Sequence, residues 1–348
     1  MAGGGERTPA GSAPRRSAPK AHGSVHERPL ERQKEGACSL SQSVSSNKSK
    51  LQSVIPIQVS ESLDSTSSSC SAGSAVSDSR PAPFDICMSD NACPIKLKPP
   101  LHALNREKRR EMQMSKDVAS LRHLRPGMVL LKRFLKPDDQ AKIVKLCQRL
   151  GVGPGGFYKP GYRDGAKLSL QMMCLGKNWD PDSRSYGDFR PFDNAQPPNI
   201  PEEFKKFVQD AIQASQELLK QGMGMEGANA VDEIPLMPPD ICLVNFYGSS
   251  GRLGLHQDKD ESRTSLDKGL PVVSFSIGDT ADFLYGDVRD EDKASRIDLE
   301  SGDVLIFGGR SRLIFHGVAN VKPKTAPTWL TDQTGLRPGR LNLTFRQY

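Results

Sequence analysis

The chain has 348 residues, of which 36% are hydrophobic, and carries a net charge of +7. Length admits one or two domains, and the low apolar share implies that part of the chain stays unfolded. A membrane span is excluded because no apolar run approaches the ~20 residues one requires, and a disulfide framework or zinc ribbon because the seven cysteines are scattered with no CxxC.

An odd, scattered cysteine set fits a reducing compartment. The basic excess suits a polyanion such as nucleic acid, although basic tails alone give the same balance. The opening stretch, MAGGGERTPAGSAPRRSAPK, lacks the apolar segment of a secretory leader. Its Arg, Ser and Ala content resembles an organelle transit peptide, but Glu6 and the repeated prolines argue against an amphipathic helix there. The expected compartment is the nucleus and/or the cytoplasm, with an organelle left open.

Residues 1–120 differ from the rest. Between Ser41 and Arg80, 16 of 40 residues are serine, and Phe84 is the first aromatic residue in the chain. Such a segment cannot bury enough apolar surface to offset its ordering entropy, so it is expected to be disordered. NREKRREMQMSK, at 105–116, reads as a short basic helix, for which a solvated linker and a nucleic-acid contact are equal readings.

Periodic structure begins near Leu124, and a folded domain is expected over 121–348. GMVLLKRFL (127–135) predicts a strand. Pro137 and Asp138 then open a helix that Gly151 stops, with Ile143, Val144 and Leu146 as its apolar residues. A second amphipathic helix is predicted over 201–222, from Pro201 to Gly222. Thereafter the pattern is β, with strands predicted over 240–247, 270–278, 281–288, 295–299, 303–309, 312–318 and 340–348. Closely spaced strands after two helices predict a mainly β fold, a sandwich or jelly roll backed by helices.

Six histidines occur, and only His256 and His316 fall in the strand-rich region. In GRLGLHQDKDESR, His256 and Asp258 are two apart, which puts both donors on one face of an extended segment. His316 follows 58 positions after Asp258. Two imidazoles and one carboxylate on one face of an octahedral ion make the facial triad of non-haem Fe(II) oxygenases. An HxD pair alone is more often a surface turn, so the distant histidine adds weight without deciding. In RLNLTFR, Arg340, Asn342, Thr344 and Arg346 share one strand parity, and Leu341, Leu343 and Phe345 share the other. An inward face bearing two arginines needs an anionic partner, for which a small dicarboxylate serves. An exposed sheet face is the ordinary alternative.

CLVNFY, LGLHQDKDE, SRLIFHGV and RLNLTFRQ, in this order, resemble the AlkB family of Fe(II)/2-oxoglutarate-dependent nucleic-acid demethylases. The resemblance covers about 125–348, and LGKNWD and SSGRLGLHQDKDESR lean to the eukaryotic homologue-one branch, especially its plant members. It implies a double-stranded β-helix, or jelly roll. It implies Fe(II) as cofactor and 2-oxoglutarate and dioxygen as cosubstrates, with His256, Asp258 and His316 as iron ligands. Asn245, Tyr247, Arg340, Asn342, Thr344 and Arg346 match the cosubstrate site. Asp260 matches a residue facing the substrate base, and Trp179 and Tyr186 match a lid that supplies an aromatic stack and a hydroxyl on the phosphate side. Arg289 matches a contact to the nucleic-acid backbone. The bland reading of Trp179 is core packing.

The implied reaction removes a methyl group from a base nitrogen as formaldehyde, with succinate and carbon dioxide as coproducts. The substrate expected first is N6-methyladenine in DNA. The alternatives are N1-methyladenine or 3-methylcytosine in DNA or tRNA, and a protein hydroxylase using the same iron centre. No membrane partner is expected, and the expected state is a monomer.

Overall fold

A computed structural model describes residues 83–88, 100–102, 105, 109, 121–161, 165, 167–222, 227–248 and 250–348. The expected disorder of residues 1–120, and the short basic helix at 105–116, fall almost wholly outside these residues.

Thirteen strands form three antiparallel sheets among the described residues. The major sheet has the order β1 (Leu121–Arg125), β2 (Met128–Leu131), β11 (Val304–Phe307), β8 (Val272–Gly278), β13 (Arg340–Arg346), β6 (Ile241–Tyr247) and β3 (Gln171–Leu175). The minor sheet has the order β10 (Ser295–Leu299), β9 (Thr280–Gly286), β12 (Phe315–Lys322) and β7 (Leu253–His256). A two-stranded hairpin joins β4 (Asn178–Asp180) to β5 (Ser185–Gly187). This is the expected jelly roll.

Two helices cover the outer face of the major sheet. In α1 (Pro137–Gly151), proline opens the helix and Asp138 and Asp139 sit in the first turn, where the helix dipole favours negative charge. In α2 (Glu202–Gly222), Phe204, Val208, Ala211, Ile212 and Leu219 recur on one stripe and are fully buried. They meet Val244, Phe275, Leu341, Leu343 and Phe345 from the sheet. Short helices α3 (Gly227–Glu233), α4 (Arg263–Asp267) and α5 (Thr328–Thr334) also occur. A second cluster fills the space between the sheets, with Met128, Leu130 and Leu305 from one and Ala281, Phe283, Val318 and Val321 from the other. No described helix is long and apolar enough to cross a membrane.

The alternation in β13 is therefore a sorting device. Its leucines and Phe345 pack under the helices, and its four polar side chains enter the gap between the sheets. The strand predicted over 127–135 is shorter than expected. Asp303 accepts from the Arg133 amide and from Lys132, and Arg133 takes a left-handed φ of 54°, so the chain turns away after Leu131.

The edge of the core is not at residue 120. Ile86 and Cys87 have 0% and 1% exposure inside the helix-side cluster, and Cys87 bridges Leu336. Phe84 packs on Phe157 and Phe246, and Arg337 donates to the Asp85 carbonyl. Deleting residues 1–115 is therefore expected to destabilise the fold, because emptying an Ile site costs about 2–5 kcal/mol. Deleting residues 1–82 is expected to leave the melting temperature unchanged. Thermal unfolding of the two truncations checks this, and equal melting points would mean that the 83–88 segment contributes nothing.

Candidate metal centre and cosubstrate cavity

His256 ends edge strand β7, and its direct partner across the ladder is His316 on β12. Gly317 permits this approach, since a Cβ there would lie 2.6 Å from the Leu253 carbonyl oxygen. Asp258 follows in the loop after β7. The two imidazole centroids are 4.4 Å apart. His256 Nε2 lies 3.7 Å from Asp258 Oδ1, and His316 Nε2 lies 3.6 Å from Asp258 Oδ2. One donor atom from each of the three falls within 4.8 Å of the others, the one such grouping among the described residues.

The rings are oriented from behind. His256 Nδ1 lies 2.9 Å from the Gly254 carbonyl and His316 Nδ1 lies 3.1 Å from that of Ile314. A carbonyl only accepts, so each Nδ1 carries the proton and each Nε2 presents a lone pair to the centre. Burial, followed by the neighbouring His256, pushes the His316 pKa down to about 4, so the ring is neutral at neutral pH, as a metal ligand must be. Burial pushes the Asp258 carboxyl up. Arg346, His316 and His256 more than reverse this and hold it well below the usual carboxylate range. Two imidazoles and one fixed carboxylate suit a divalent iron ion.

The three donors open on a cavity of about 460 Å³ between the sheets. All thirteen residues singled out in the sequence line it. On its floor, Arg340 is 1% exposed, with its guanidinium 5.6 Å from the Tyr247 ring centre. Its Nη2 donates to Ser276 Oγ at 3.0 Å, but Nε and Nη1 have no partner among the described residues. Asn245 Oδ1 is likewise buried and unpaired. Burial pushes the Arg340 pKa down to about 10, which leaves it charged at neutral pH. A buried cation with two idle donors is the partner expected for a carboxylate, so these residues fit a small dicarboxylate such as 2-oxoglutarate.

Asn342 and Thr344 line the same wall, held by protein. Asn342 Nδ2 donates to Ser274 Oγ and the Phe275 carbonyl, and Thr344 donates to Asn342 Oδ1. Arg346 shares their strand face but turns toward the metal donors. Its Nε and Nη2 reach Asp258 Oδ2 at 3.0 and 2.6 Å, which leaves Oδ1 as the carboxylate oxygen nearest His256.

The β4–β5 hairpin pairs Trp179 with Tyr186 and forms one side of the cavity. The indole is half-buried against the inter-sheet core, and it also faces the cavity. Its Nε1 donates to Asp260 Oδ2 at 2.9 Å. The Tyr186 hydroxyl points inward, accepting from Arg346 Nη1 at 3.0 Å. Arg289 is exposed at the mouth, joined by Arg184 and Lys259. Among the described residues, none of these three has an ion-pair partner.

Sequence reasoning missed Glu261 and Arg312. Glu261 lies next to Asp260 in the motif already under scrutiny, but its side chain is 1% exposed and paired with Arg312, which nothing local signals.

The chain matches the model of the 2OG-Fe(II) oxygenase superfamily over residues 127–346. Among curated proteins it is 57% identical over 277 residues to the DNA N(6)-methyladenine demethylase ALKBH1C of Arabidopsis thaliana, covering 80% of this chain and 59% of that protein. It is 35% identical over 234 residues to the alpha-ketoglutarate-dependent dioxygenase AlkB of Escherichia coli, covering 64% of this chain and 91% of that one. The chain thus spans 59% of the length of the Arabidopsis relative. A solved structure titled "The structure of OsALKBH1" superposes with a TM-score of 0.63 at 74% identity, covering 66% of this chain and 100% of that one. With its His-Asp-His triad and arginine-floored cavity, the chain belongs to the AlkB family of Fe(II)/2-oxoglutarate oxygenases, on its plant homologue-one branch.

Proposed function

We propose that the protein oxidatively demethylates N-methylated bases in nucleic acid, N6-methyladenine in DNA foremost. The observation that carries this is the Trp179–Tyr186 hairpin lining the same cavity as the triad, with Asp260 held 2.9 Å from the indole nitrogen. A flat indole beside a carboxylate acceptor suits a base with an exocyclic N–H, whereas a peptide does not call for a stacking face. The exposed cations Arg184, Lys259 and Arg289 at the mouth suit the phosphates flanking an extruded nucleotide. That the Arabidopsis relative is a DNA N(6)-methyladenine demethylase supports the choice of base.

His256, Asp258 and His316 would hold the iron, and the Arg340 fork would hold the far carboxylate of 2-oxoglutarate. Bound there, iron with 2-oxoglutarate and dioxygen supplies the oxidant for a methyl C–H bond. The protein's part is to fix both against the methyl group. The hydroxymethyl product loses formaldehyde, and succinate and carbon dioxide leave as coproducts.

The direct test is nucleoside mass spectrometry on methylated oligonucleotides incubated with protein, Fe(II) and 2-oxoglutarate. Loss of N6-methyladenine first supports the proposal; no loss of any methylated base overturns it. Trp179→Ala is expected to weaken oligonucleotide binding about tenfold to a hundredfold, since stacking a base contributes about 1–3 kcal/mol. Succinate formation without nucleic acid should persist. Parallel assays of succinate and formaldehyde check this, and equal loss of both would assign Trp179 to the fold alone.

A further inference from the structure

Four charged side chains lie side by side behind the triad. Exposure is 8% for Asp258 and 6% for Arg346, and 1% for Glu261 and 4% for Arg312. Arg346 Nε, besides its bond to Asp258, lies 3.2 Å from Glu261 Oε1. Glu261 Oε2 lies 2.9 Å from Arg312 Nη2, an ion pair too poorly angled to count as a hydrogen bond. Arg312 Nη1 donates to the backbone carbonyl of Asp258 itself. The result is a closed loop of contacts, from the Asp258 carboxylate through Arg346, Glu261 and Arg312 back to the Asp258 backbone.

Stability does not explain this ring. Buried ion pairs rarely repay their desolvation, and apolar residues of similar volume often serve as well or better. What the ring does is fix one carboxylate in both position and rotation. Arg312 anchors its backbone. Arg346 clamps Oδ2. Glu261 sits between the two guanidiniums and keeps the Arg346 fork from swinging toward the open cavity. It also cancels one of two positive charges that would otherwise stand beside the ion. The two carboxylates and two guanidiniums sum to zero, so a divalent cation enters a neutral setting rather than a repulsive one.

We infer that Glu261 and Arg312 are positioning residues for the metal centre, holding Arg346 on Asp258 so that the carboxylate keeps one rotation between His256 and His316. The inference rests on the iron-binding reading of the triad. Orientation of ligands from behind is typically worth about ten- to a hundredfold in metal affinity.

The test uses the full chain and Co(II) as probe, titrated without oxygen or nucleic acid and followed by its visible absorption. Wild type is expected to bind Co(II). Failure to do so would overturn the metal reading itself, and the inference with it. Glu261→Gln keeps size and polarity but adds a net positive charge, and is expected to weaken Co(II) binding about ten- to a hundredfold and to shift the absorption bands as Asp258 reorients. Unchanged affinity and spectrum in folded Glu261→Gln, with wild type binding normally, would overturn the inference alone. A lowered melting temperature with unaltered Co(II) binding would do so too, since it marks a purely structural pair. If Glu261→Gln does not fold, Arg312→Lys carries the same test. It retains charge but loses the fork that joins Glu261 to the Asp258 backbone. Weakened binding supports the inference, and wild-type binding overturns it.

Discussion

Asp258→Ala is expected to abolish turnover and to weaken divalent metal binding by more than any other single substitution, while the domain stays folded. The side chain supplies the one anionic donor of the three, and it also takes both donors that Arg346 directs at it. Its removal leaves two imidazoles as donors and one net positive charge beside the cation site, since Glu261 then faces both Arg346 and Arg312. Breaking a buried pair by deleting one partner typically costs about 3–5 kcal/mol, so some loss of stability accompanies the loss of metal. Two measurements check this: Co(II) titration of the folded variant, and 2-oxoglutarate consumption. Consumption at the wild-type rate would remove Asp258 from the metal centre.

Arg340→Gln is expected to raise the 2-oxoglutarate concentration needed for half-maximal rate about a hundredfold, while Co(II) binding and oligonucleotide binding stay near wild type. Nε and Nη1 have no partner among the described residues and Arg340 lines the cavity, so its guanidinium has charged donors left over for a carboxylate. Charge-assisted hydrogen bonds contribute about 1.5–3 kcal/mol each, and two at the lower figure already give that factor. Sequence alone makes Arg346 an equal candidate, with the same strand and the same parity. Contacts separate the two: among the described residues, Arg346 is engaged by Asp258, Glu261 and Tyr186, and Arg340 has Ser276 as its one side-chain hydrogen-bond partner. Steady-state titration of 2-oxoglutarate against each variant discriminates. An unchanged requirement in Arg340→Gln would place the carboxylate elsewhere.

The parts of the structure legible in the sequence are those where local chemistry and global packing agree. The alternation in RLNLTFR predicts both faces of β13, and both are observed. Pro137 with two aspartates marks the start of α1, and the apolar stripe of the second helix is present as α2. Other elements carry no such signal. β3 reads QMMCL, with no β-branched residue, and exists because β6 offers it a full ladder of partners. β7 is four residues with a glycine inside, and its pairing with β12 makes it a strand. FDICM, within a serine-rich context, gives no hint that Ile86 reaches the core, because its partners lie some 250 positions later at Leu336 and Arg337. Glu261 and Arg312 are hidden for the same reason: charges in a polar stretch ordinarily face water, and only the fold brings these two together.

The place of β13 has a consequence for the order of assembly. It follows every other described element in the chain, yet it lies between β8 and β6 near the middle of the major sheet. During synthesis, β8 and β6 therefore have to wait with unpaired edges until residues 340–346 emerge. Such long-range closure is slow, and open edges invite association with other chains. The same arrival brings Arg340 to the cavity floor and Arg346 to Asp258. A nascent chain thus has both histidines and the aspartate before it has Arg346, which clamps the carboxylate. Maturation of the metal-binding site is tied to the insertion of a single strand.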